Sequence, residues 1–572
     1  MNKSLLFVVF LFSIKGFSQE PAFNSVLTFG SSYFDNLQGL AIDNSNDILI
    51  TGAFATTVDF DPSSSVYNLE STGSSDAFIT KINSSGNLVW AKKFGGAMDN
   101  FNFGIATDSQ KNVYSVGQFM GTVNFNPGSG TSNLTSTLSG PYYSFDISIS
   151  KLDSNGNFVW TKKVGGIGED NASAVTVDNS GKVYITGHFN NTVDFDPGSG
   201  VFNLSASGPS GTPDIYVLKL DSDGSFLWAK SFTSIGYNNA EAIKTDASGN
   251  VYFTGSFSNT VDFDPNSGVM QLTAAGDSGL PDVFVTKLDS NGNLLWAKSF
   301  SGTNFDNGKS LAIDSSNNVI VAGTFNGTVD FDPSSNVQNI IYQGNTDIFV
   351  AKLDTAGNFL WAKNFGGLSA DNVSNIVVDS SNNIYATGLF TGSADFNIGG
   401  AVAVLNAFGD TDNTDAFILK LSPNGNFSWV KSIKGTKDQG GIAMAIDGLG
   451  NIYNGGYFTG TSNFQTENGV YEKTSLNDSR DFYLLKLSLP LGVSENSKSE
   501  FKIFPNPSNG SFSISNLENL AGAKCVVFNL LGQKIEEFTL LTNQIKLNLE
   551  RGTYLLDIQK EGIHESTKII IN

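Results

Sequence analysis

The chain has 572 residues, with 33 basic and 54 acidic side chains and a formal net charge of −21. One cysteine excludes a disulfide scaffold and cysteine-rich zinc sites, and the negative charge argues against nucleic acid, whose phosphates need a basic surface. An aromatic content of 12% excludes intrinsic disorder, and the length allows several domains or one large repeat fold.

The first residues predict a signal peptide. Lys3 is followed by an apolar run over residues 5–12, and the small residues Gly16 and Ser18 favour cleavage before Gln19. The run is shorter than the ~20 residues of a membrane-spanning helix. We therefore expect residues 1–18 to be removed during export; a membrane anchor or a buried strand is the alternative.

The middle of the chain repeats one unit seven times between residues 19 and 492. All six tryptophans lie in one periodic series, and three further series, of Gly-x-Phe and of two aspartates, share its period of ~67 residues. The tryptophans are Trp90, Trp160, Trp228, Trp296, Trp361 and Trp429. Series that agree in period indicate a repeat architecture rather than unrelated domains.

One copy reads as four strands. In the third copy these are residues 174–177, 183–186, 214–220 and 226–230, separated by Asx-Gly turn sequences. The strands are apolar on both alternating faces, which predicts sheets covered on both sides. Four-stranded antiparallel sheets around an axis satisfy this, so the sequence predicts an all-β fold with a seven-bladed β-propeller. An array of β-sandwich domains is the alternative, but such domains need ~100 residues each.

The two ends of the repeat region complement each other. The seventh copy lacks its tryptophan strand, and residues 26–29 resemble that missing strand. We predict that residues 26–29 pair with the strand around residues 481–487, so that an N-terminal strand closes the last blade. Closure of this kind removes two exposed strand edges.

An insert follows Gly-x-Phe in every copy and predicts an added hairpin. Its clearest form is Asp194-Phe195-Asp196-Pro197, which places two carboxylates on one face of a turn. Hard cations such as Ca²⁺ take several oxygen ligands, so Asp194 and Asp196 form the candidate metal site. The alternative is structural, because Asp also caps its own backbone in Asx turns.

After a polar linker at residues 493–500, residues 501–572 alternate as strands and predict a small β-sandwich. Cys525 fits a buried apolar position. The motif residues are Pro505, Asn506, Pro507, Gly510, Gly532, Gly552 and Tyr554. An ordinary terminal adhesion sandwich is the alternative.

Both regions resemble known families. Residues 347–388, with Phe365-Gly366-Gly367 and the final Gly388, resemble the SBBP-type seven-bladed β-propeller repeat, although the insert departs from it. The motif residues of 501–572 resemble the type A C-terminal sorting domain of the type IX secretion system in Bacteroidota. That resemblance implies recognition by the type IX secretion machinery and passage across the outer membrane, with release or attachment at the surface.

No catalytic constellation stands out in the sequence. His188 lies at a position that accepts any residue type in the other copies, and recurrent aspartates favour structural turns over a unique active site. Glu169 and Glu241 are singular acids, yet no spacing pairs them. The lysine that recurs in every third strand, such as Lys219, indicates a pairing or edge device.

These observations predict an exported cell-surface or secreted protein that binds a ligand without catalysis and works as a monomer. We call the side of the propeller that carries the inserts and the loops before the first strands the loop face; its acidic residues include Asp35, Asp99, Asp170, Asp306, Asp371 and Asp438. A glycan or a protein is expected to bind this face, and no cofactor is expected apart from the candidate Ca²⁺. Two alternatives remain: a secreted carbohydrate-active hydrolase or lyase that uses carboxylates, and a structural component of a surface layer or matrix.

Overall fold

A computed structural model describes residues 20–209, 211–276, 279–398, 400–409, 413–465, 469–488, 503–515, 521–529, 533–560 and 563–572, without the side chains of 563–566. The predicted signal peptide (1–18), the linker (493–500) and Gly532 lie outside these residues. Contacts divide the chain into two compact units that separate after Ser488. Across the described residues, no helix has the length and apolar character that a membrane span requires.

The first unit is a series of antiparallel sheets, each built on four strands in sequence order. The first strands are Asn36–Ile42, Asn100–Thr107, Asn171–Val177, Asn239–Thr245, Asn307–Ile313, Asn372–Val378 and Gln439–Ile446. The second strands are Ile48–Phe54, Val113–Phe119, Val183–Phe189, Val251–Phe257, Val319–Phe325, Ile384–Thr391 and Ile452–Phe458. The third strands are Asp76–Ile82, Asp146–Leu152, Asp214–Leu220, Asp282–Leu288, Asp347–Leu353, Thr414–Leu421 and Asp481–Ser488. The fourth strands are Leu88–Gly96, Phe158–Gly166, Phe226–Phe232, Leu294–Gly302, Phe359–Gly367, Phe427–Gly435 and, from the N-terminus, Ala22–Phe29.

The second and third strands form the core of each sheet. Every residue of Ile48–Phe54 and Asp76–Ile82 is buried, which explains why apolar residues occur on both alternating faces of these strands. The aspartate that follows each first strand caps the next turn: Asp178 Oδ1 accepts the backbone N–H groups of Ser180 at 2.9 Å and Lys182 at 3.0 Å. The aspartate that recurs after each first strand is therefore turn chemistry.

The N-terminal strand pairs with the last part of the repeat region. Ala22–Phe29 runs antiparallel to Asp481–Ser488, with Phe29 opposite Phe482, as the sequence predicted. Each first strand contacts the first strand of the next copy, and Gln439–Ile446 contacts Asn36–Ile42. These contacts run in a cycle, although no single sheet closes on itself among the described strands.

In most copies a lysine and a tryptophan bind the sheet to a turn of the next copy. Lys151 Nζ and Trp160 Nε1 both donate to the carbonyl oxygen of Ser222, at 2.9 and 3.1 Å. The same contact joins the last copy to the first, where Lys486 Nζ donates to the carbonyl oxygen of Ser84 at 2.9 Å. In most copies the recurrent lysine is thus a pairing device between copies, as its periodicity suggested, whereas Lys81 pairs with Asp43 of its own copy.

The inserts form hairpins. Their strands are Thr57–Asp59 with Asn68–Glu70, Thr122–Asn124 with Asn133–Thr135, Thr192–Asp194 with Asn203–Ser205, Thr260–Asp262 with Gln271–Thr273, Thr328–Asp330 with Asn339–Ile341, Ser393–Asp395 with Val404–Asn406, and Thr461–Asn463 with Glu472–Thr474. A further small hairpin joins Leu138–Ser139 to Tyr142–Tyr143, and one 3₁₀ turn covers Leu476–Asp478.

Most of these hairpins also pair with the fourth strand of the preceding copy, which the sequence did not predict. Val193 lies opposite Gly166, and a side chain at Gly166 would come within 2.5 Å of the carbonyl oxygen of Thr192. Phe195 is fully buried between the copies, with its ring centre 4.9 Å from that of Tyr216. The insert therefore joins neighbouring copies by strand pairing, and Phe195 belongs to an apolar cluster with residues from both copies. We call this arrangement the hairpin clasp.

The second unit contains two sheets. One has Ile503–Phe504, Ser511–Ile514 and Gln544–Lys546; the other has Lys534–Thr539, Lys524–Asn529, Gly552–Lys560 and Ile563–Ile571. Buried side chains from both sheets, including Phe512 and Val527, share one apolar cluster. Cys525 lies in that cluster, and its burial raises the pKa of the thiol to about 11.

Candidate functional site

The two candidate calcium ligands are engaged with their own hairpin. Asp194 Oδ1 accepts the N–H groups of Asp196 at 3.0 Å and Phe202 at 2.8 Å, and Asp196 Oδ1 accepts that of Gly198. Asn124 and Asn463 make the same two contacts in other copies without a charge. The described residues contain no cluster of three His, Cys, Asp or Glu side chains suited to a metal. Calcium binding at this hairpin stays a prediction, and loop capping is the role that the geometry shows.

Substitution of Asp194 separates the two roles. We expect Asp194→Asn to retain the melting temperature, because an amide oxygen accepts the same N–H groups, and Asp194→Ala to cost about 1 kcal/mol. Thermal denaturation with Ca²⁺ and with EDTA measures both. If EDTA destabilises the wild type and Asp194→Asn behaves like Asp194→Ala, the carboxylate charge holds an ion.

Buried carboxylates meet in pairs where neighbouring copies join on the loop face. Asp306 precedes a first strand and lies near Asp282, which begins the third strand of the preceding copy; both are fully buried. Burial raises the pKa of Asp306 to about 8, with a contribution from the Asp282 charge, and burial raises the pKa of Asp282 to about 6. Similar burial raises the pKa of Asp35, Asp170, Asp347, Asp371, Asp415 and Asp481 to between about 6 and about 7.

These carboxylates predict a protein that gains stability on mild acidification. Their folded pKa exceeds that of unfolded Asp, so stability is lost as the pH rises from about 4 to about 8. Carboxylates whose pKa is lowered by folding, such as Asp178, change the stability with pH only below about pH 4. We expect a higher melting temperature at about pH 5.5 than at about pH 8.5.

A natural substitution supplies the variant for this test. Asn238 occupies the position of Asp306 in another copy, and its amide donates to Asp214 Oδ1 at 2.8 Å. Asp306→Asn should therefore raise the melting temperature at about pH 8.5 and change it little at about pH 5.5. Asp223→Asn, on an exposed turn, is the charge-matched control. An unchanged pH profile in Asp306→Asn would contradict the assignment.

The sorting-motif residues that the structure describes hold the second unit together. Asn506 donates from Nδ2 to the carbonyl oxygen of Lys568 at 2.7 Å and accepts the N–H of Ile570 at 2.8 Å. Gly510 has a φ of +91° and lies against the carbonyl oxygen of Leu547. The remaining motif residues are Pro505 and Pro507, which flank Asn506, and Gly552 and Tyr554 in a central strand.

A cavity of about 590 Å³ lies where the first strands of all the copies meet. Residues of matching position line it, yet two copies carry charge where the others do not. The residues at this position, five before the turn aspartate, are Gln38, Phe103, Ser173, Glu241, Lys309, Ser374 and Ile442. The cavity is therefore a place where the repetition of the chain is broken by individual side chains.

A chain of polar contacts crosses three copies along this cavity. His188 Nδ1 lies 2.9 Å from Asn239 Oδ1, Asn239 Nδ2 donates to Glu241 Oε1 at 3.1 Å, and Lys309 Nζ donates to the same oxygen at 3.0 Å. Burial lowers the pKa of His188, while Asn239 and the charges of Glu241 and Glu169 oppose that shift. His188 is thus part of a polar array.

This array was not predicted, because the His188 position carries a different residue type in every other copy and indicates only a tolerated strand residue. His188 comes from a second strand, whereas Glu241 and Lys309 come from the first strands of the next two copies. Glu241 is recognisable as a singular acid in the sequence, and an alignment of the copies also shows that Lys309 is the singular lysine at the same position. Glu241 Oε1 accepts hydrogen bonds from both Lys309 and Asn239, so this carboxylate orients those two side chains. The described residues that line the cavity provide no second carboxylate beside it.

Two family models match the chain. Residues 360–397 match the β-propeller repeat and residues 502–572 match the secretion system C-terminal sorting domain. The chain therefore contains a propeller repeat and a type IX sorting domain, which mark it as a secreted or cell-surface protein that engages the secretion machinery.

Several individual proteins are similar over parts of the chain. A WD repeat-containing protein of Acanthamoeba polyphaga mimivirus is 24% identical over 82% of this chain, and the regulatory protein FlaEY of Caulobacter vibrioides is 31% identical over 25%. The chain spans only 39% and 15% of the lengths of these two relatives. Among solved structures, Sqt1 from Chaetomium thermophilum aligns with 82% of the chain and all of its own at 8% identity and a TM-score of 0.38. PorZ, a surface component of the type IX secretion system of Porphyromonas gingivalis, aligns with 96% of the chain and all of its own at 10% identity and a TM-score of 0.24.

Proposed function

We propose that residues 19–492 form a seven-bladed β-propeller that binds a ligand in its central cavity without catalysis. Residues 1–18 serve as the signal peptide, 493–500 as a linker, and 501–572 as a β-sandwich that directs the protein through the outer membrane, where it is attached or released. The cycle of contacts between first strands supports the ring, and the two sheets with a common core support the sandwich.

The observation that carries the binding role is the array of His188, Asn239, Glu241 and Lys309. The other five copies carry uncharged residues at the position of Glu241 and Lys309, so the scaffold does not require this ion pair for folding, and its presence points to another task. Ligand sites are concave and present a few oriented polar groups. Here an ion pair and an amide occupy the wall of a cavity, in the place where a propeller brings all its copies together.

The experiment is a binding screen of the mature protein with a glycan and metabolite library, read out by thermal shift and confirmed by calorimetry. We expect at least one ligand class to bind the wild type, and Glu241→Gln and Lys309→Met each to weaken that binding by tenfold or more, since each leaves a polar partner unpaired.

A second ion pair of similar exposure provides the control. Lys182 and Asp221 lie 2.9 Å apart on turns outside the cavity, so Lys182→Met should leave binding unchanged. If Glu241→Gln and Lys309→Met bind every hit like the wild type, the cavity is not the site. If the protein converts a bound saccharide to products, it is a hydrolase or lyase and the non-catalytic assignment is wrong.

A further inference from the structure

Arg480 stands out among the residues that enter the third strands. The residues at its position in the other copies are Ser75, Phe145, Pro213, Pro281, Thr346 and Thr414, none of them charged. It is the only arginine of the repeat region, because the other arginine of the chain is Arg551. A single arginine in the repeat region, within a protein of net charge −21, calls for a specific explanation.

Aromatic rings hold the guanidinium of Arg480 in place. Its central carbon lies 3.9 Å from the ring centre of Tyr457 and 5.7 Å from that of Phe34. Tyr457 also lines the central cavity, and Phe34 is 67% exposed. Stacking of this kind fixes the plane of a guanidinium and leaves its N–H groups pointing outward from the rings.

The guanidinium has no anionic partner in the part of the chain that the structure describes. Its Nε is buried and forms no hydrogen bond there. The acidic groups close by accept backbone N–H groups: Asp35 accepts those of Ser31 and Ala55, Asp481 accepts that of Leu476, and Asp438, which like Arg480 lies near Tyr457, accepts that of Thr414. A buried polar group without a partner in a native structure calls for an explanation, and a bound ligand is one that fits a charged donor.

We propose that Arg480, with Tyr457 and Phe34, binds the carboxylate of a small ligand at the mouth of the central cavity. The planar fork of a guanidinium matches the two oxygens of a carboxylate, and paired N–H···O bonds give geometric specificity that a lysine cannot reproduce. The exposed ring of Phe34 supplies an apolar surface beside that carboxylate, which suits a sugar acid. This inference rests on the proposed binding role and adds the chemical class of the ligand.

The probes are glucuronate, glucose and inorganic phosphate, titrated into the mature protein by calorimetry and by ligand-observed NMR. We expect glucuronate to bind and glucose, which differs by the carboxylate, to bind at least tenfold more weakly. Arg480→Lys and Arg480→Gln should each weaken glucuronate binding by tenfold or more. Arg551→Gln removes the other arginine and should leave it unchanged.

Each contrary result has a distinct meaning. Equal binding of glucose and glucuronate, binding of phosphate alone, or no binding of any probe would overturn the carboxylate assignment. If Arg480→Gln still binds glucuronate and Lys309→Met does not, the carboxylate binds at Lys309 inside the cavity. That result would contradict this inference and agree with the proposed function. A melting temperature for Arg480→Gln close to that of the wild type shows that a loss of binding is not a loss of folding.

Discussion

Removal of residues 20–29 from the mature protein is expected to lower its melting temperature strongly and to cause association. Without this strand, the edge of Asp481–Ser488 is left unpaired and attracts other strands. The point substitution Phe29→Ala isolates the packing contribution. Phe29 is 3% exposed and stacks on Phe482 with ring centres 5.0 Å apart, so its truncation should cost about 3–5 kcal/mol.

Denaturant unfolding and size-exclusion chromatography measure these two effects. Phe305→Ala is the matched control, because Phe305 is 45% exposed and truncation at the surface changes stability by about 0.5 kcal/mol or less. An unaltered unfolding curve for the deleted protein would show that the N-terminal strand contributes nothing to the fold.

A chain that ends at Ser494 is expected to remain in the periplasm. The match to the sorting domain covers residues 502–572, so this truncation removes the whole element that the secretion machinery recognises. The first compact unit ends at Ser488 and keeps all its strands, so the retained protein should still fold. We expect surface and culture-medium signals to fall at least tenfold while the periplasmic signal rises.

Restoring residues 501–572 through a glycine-serine linker of equal length should return the protein to the surface or the medium, because the secretion machinery recognises the sorting domain and not the linker sequence. Antibody labelling of intact cells and fractionation distinguish the compartments. A truncated protein found outside the cell in wild-type amounts would mean that the export signal lies within the repeat region.

Much of the fold was predictable because it depends on local patterns repeated many times. The Asx-Gly turns and the apolar second and third strands follow from residues within one period, and the complementarity of the two chain ends follows from comparing the first copy with the last. The hairpin clasp was not predictable: Val193 pairs with Gly166, which belongs to the previous copy, and no local pattern specifies that partner.

The candidate site was harder to predict for a related reason. The contact between Glu241 and Lys309 joins residues 68 positions apart, one full period, so their proximity depends on the packing of two copies. Arg480 likewise meets Phe34 only because the N-terminal segment lies beside the last copy. Single residues that depart from the repeated pattern are the candidates for function. Which of them are neighbours depends on how the copies pack against one another in the fold.

The pairing of Ala22–Phe29 with Asp481–Ser488 also imposes an order on biogenesis. Phe29 and Phe482 are 453 positions apart, so the first strand of the repeat region waits for the last strand of that region. The entropy of closing such a loop grows only logarithmically, so the separation is a matter of timing more than of stability. In the chain, the sorting domain follows Asp481–Ser488 and the linker. A molecule that contains the sorting domain therefore also contains the strand that pairs with Ala22–Phe29, so only chains with a complete repeat region can be recognised for export.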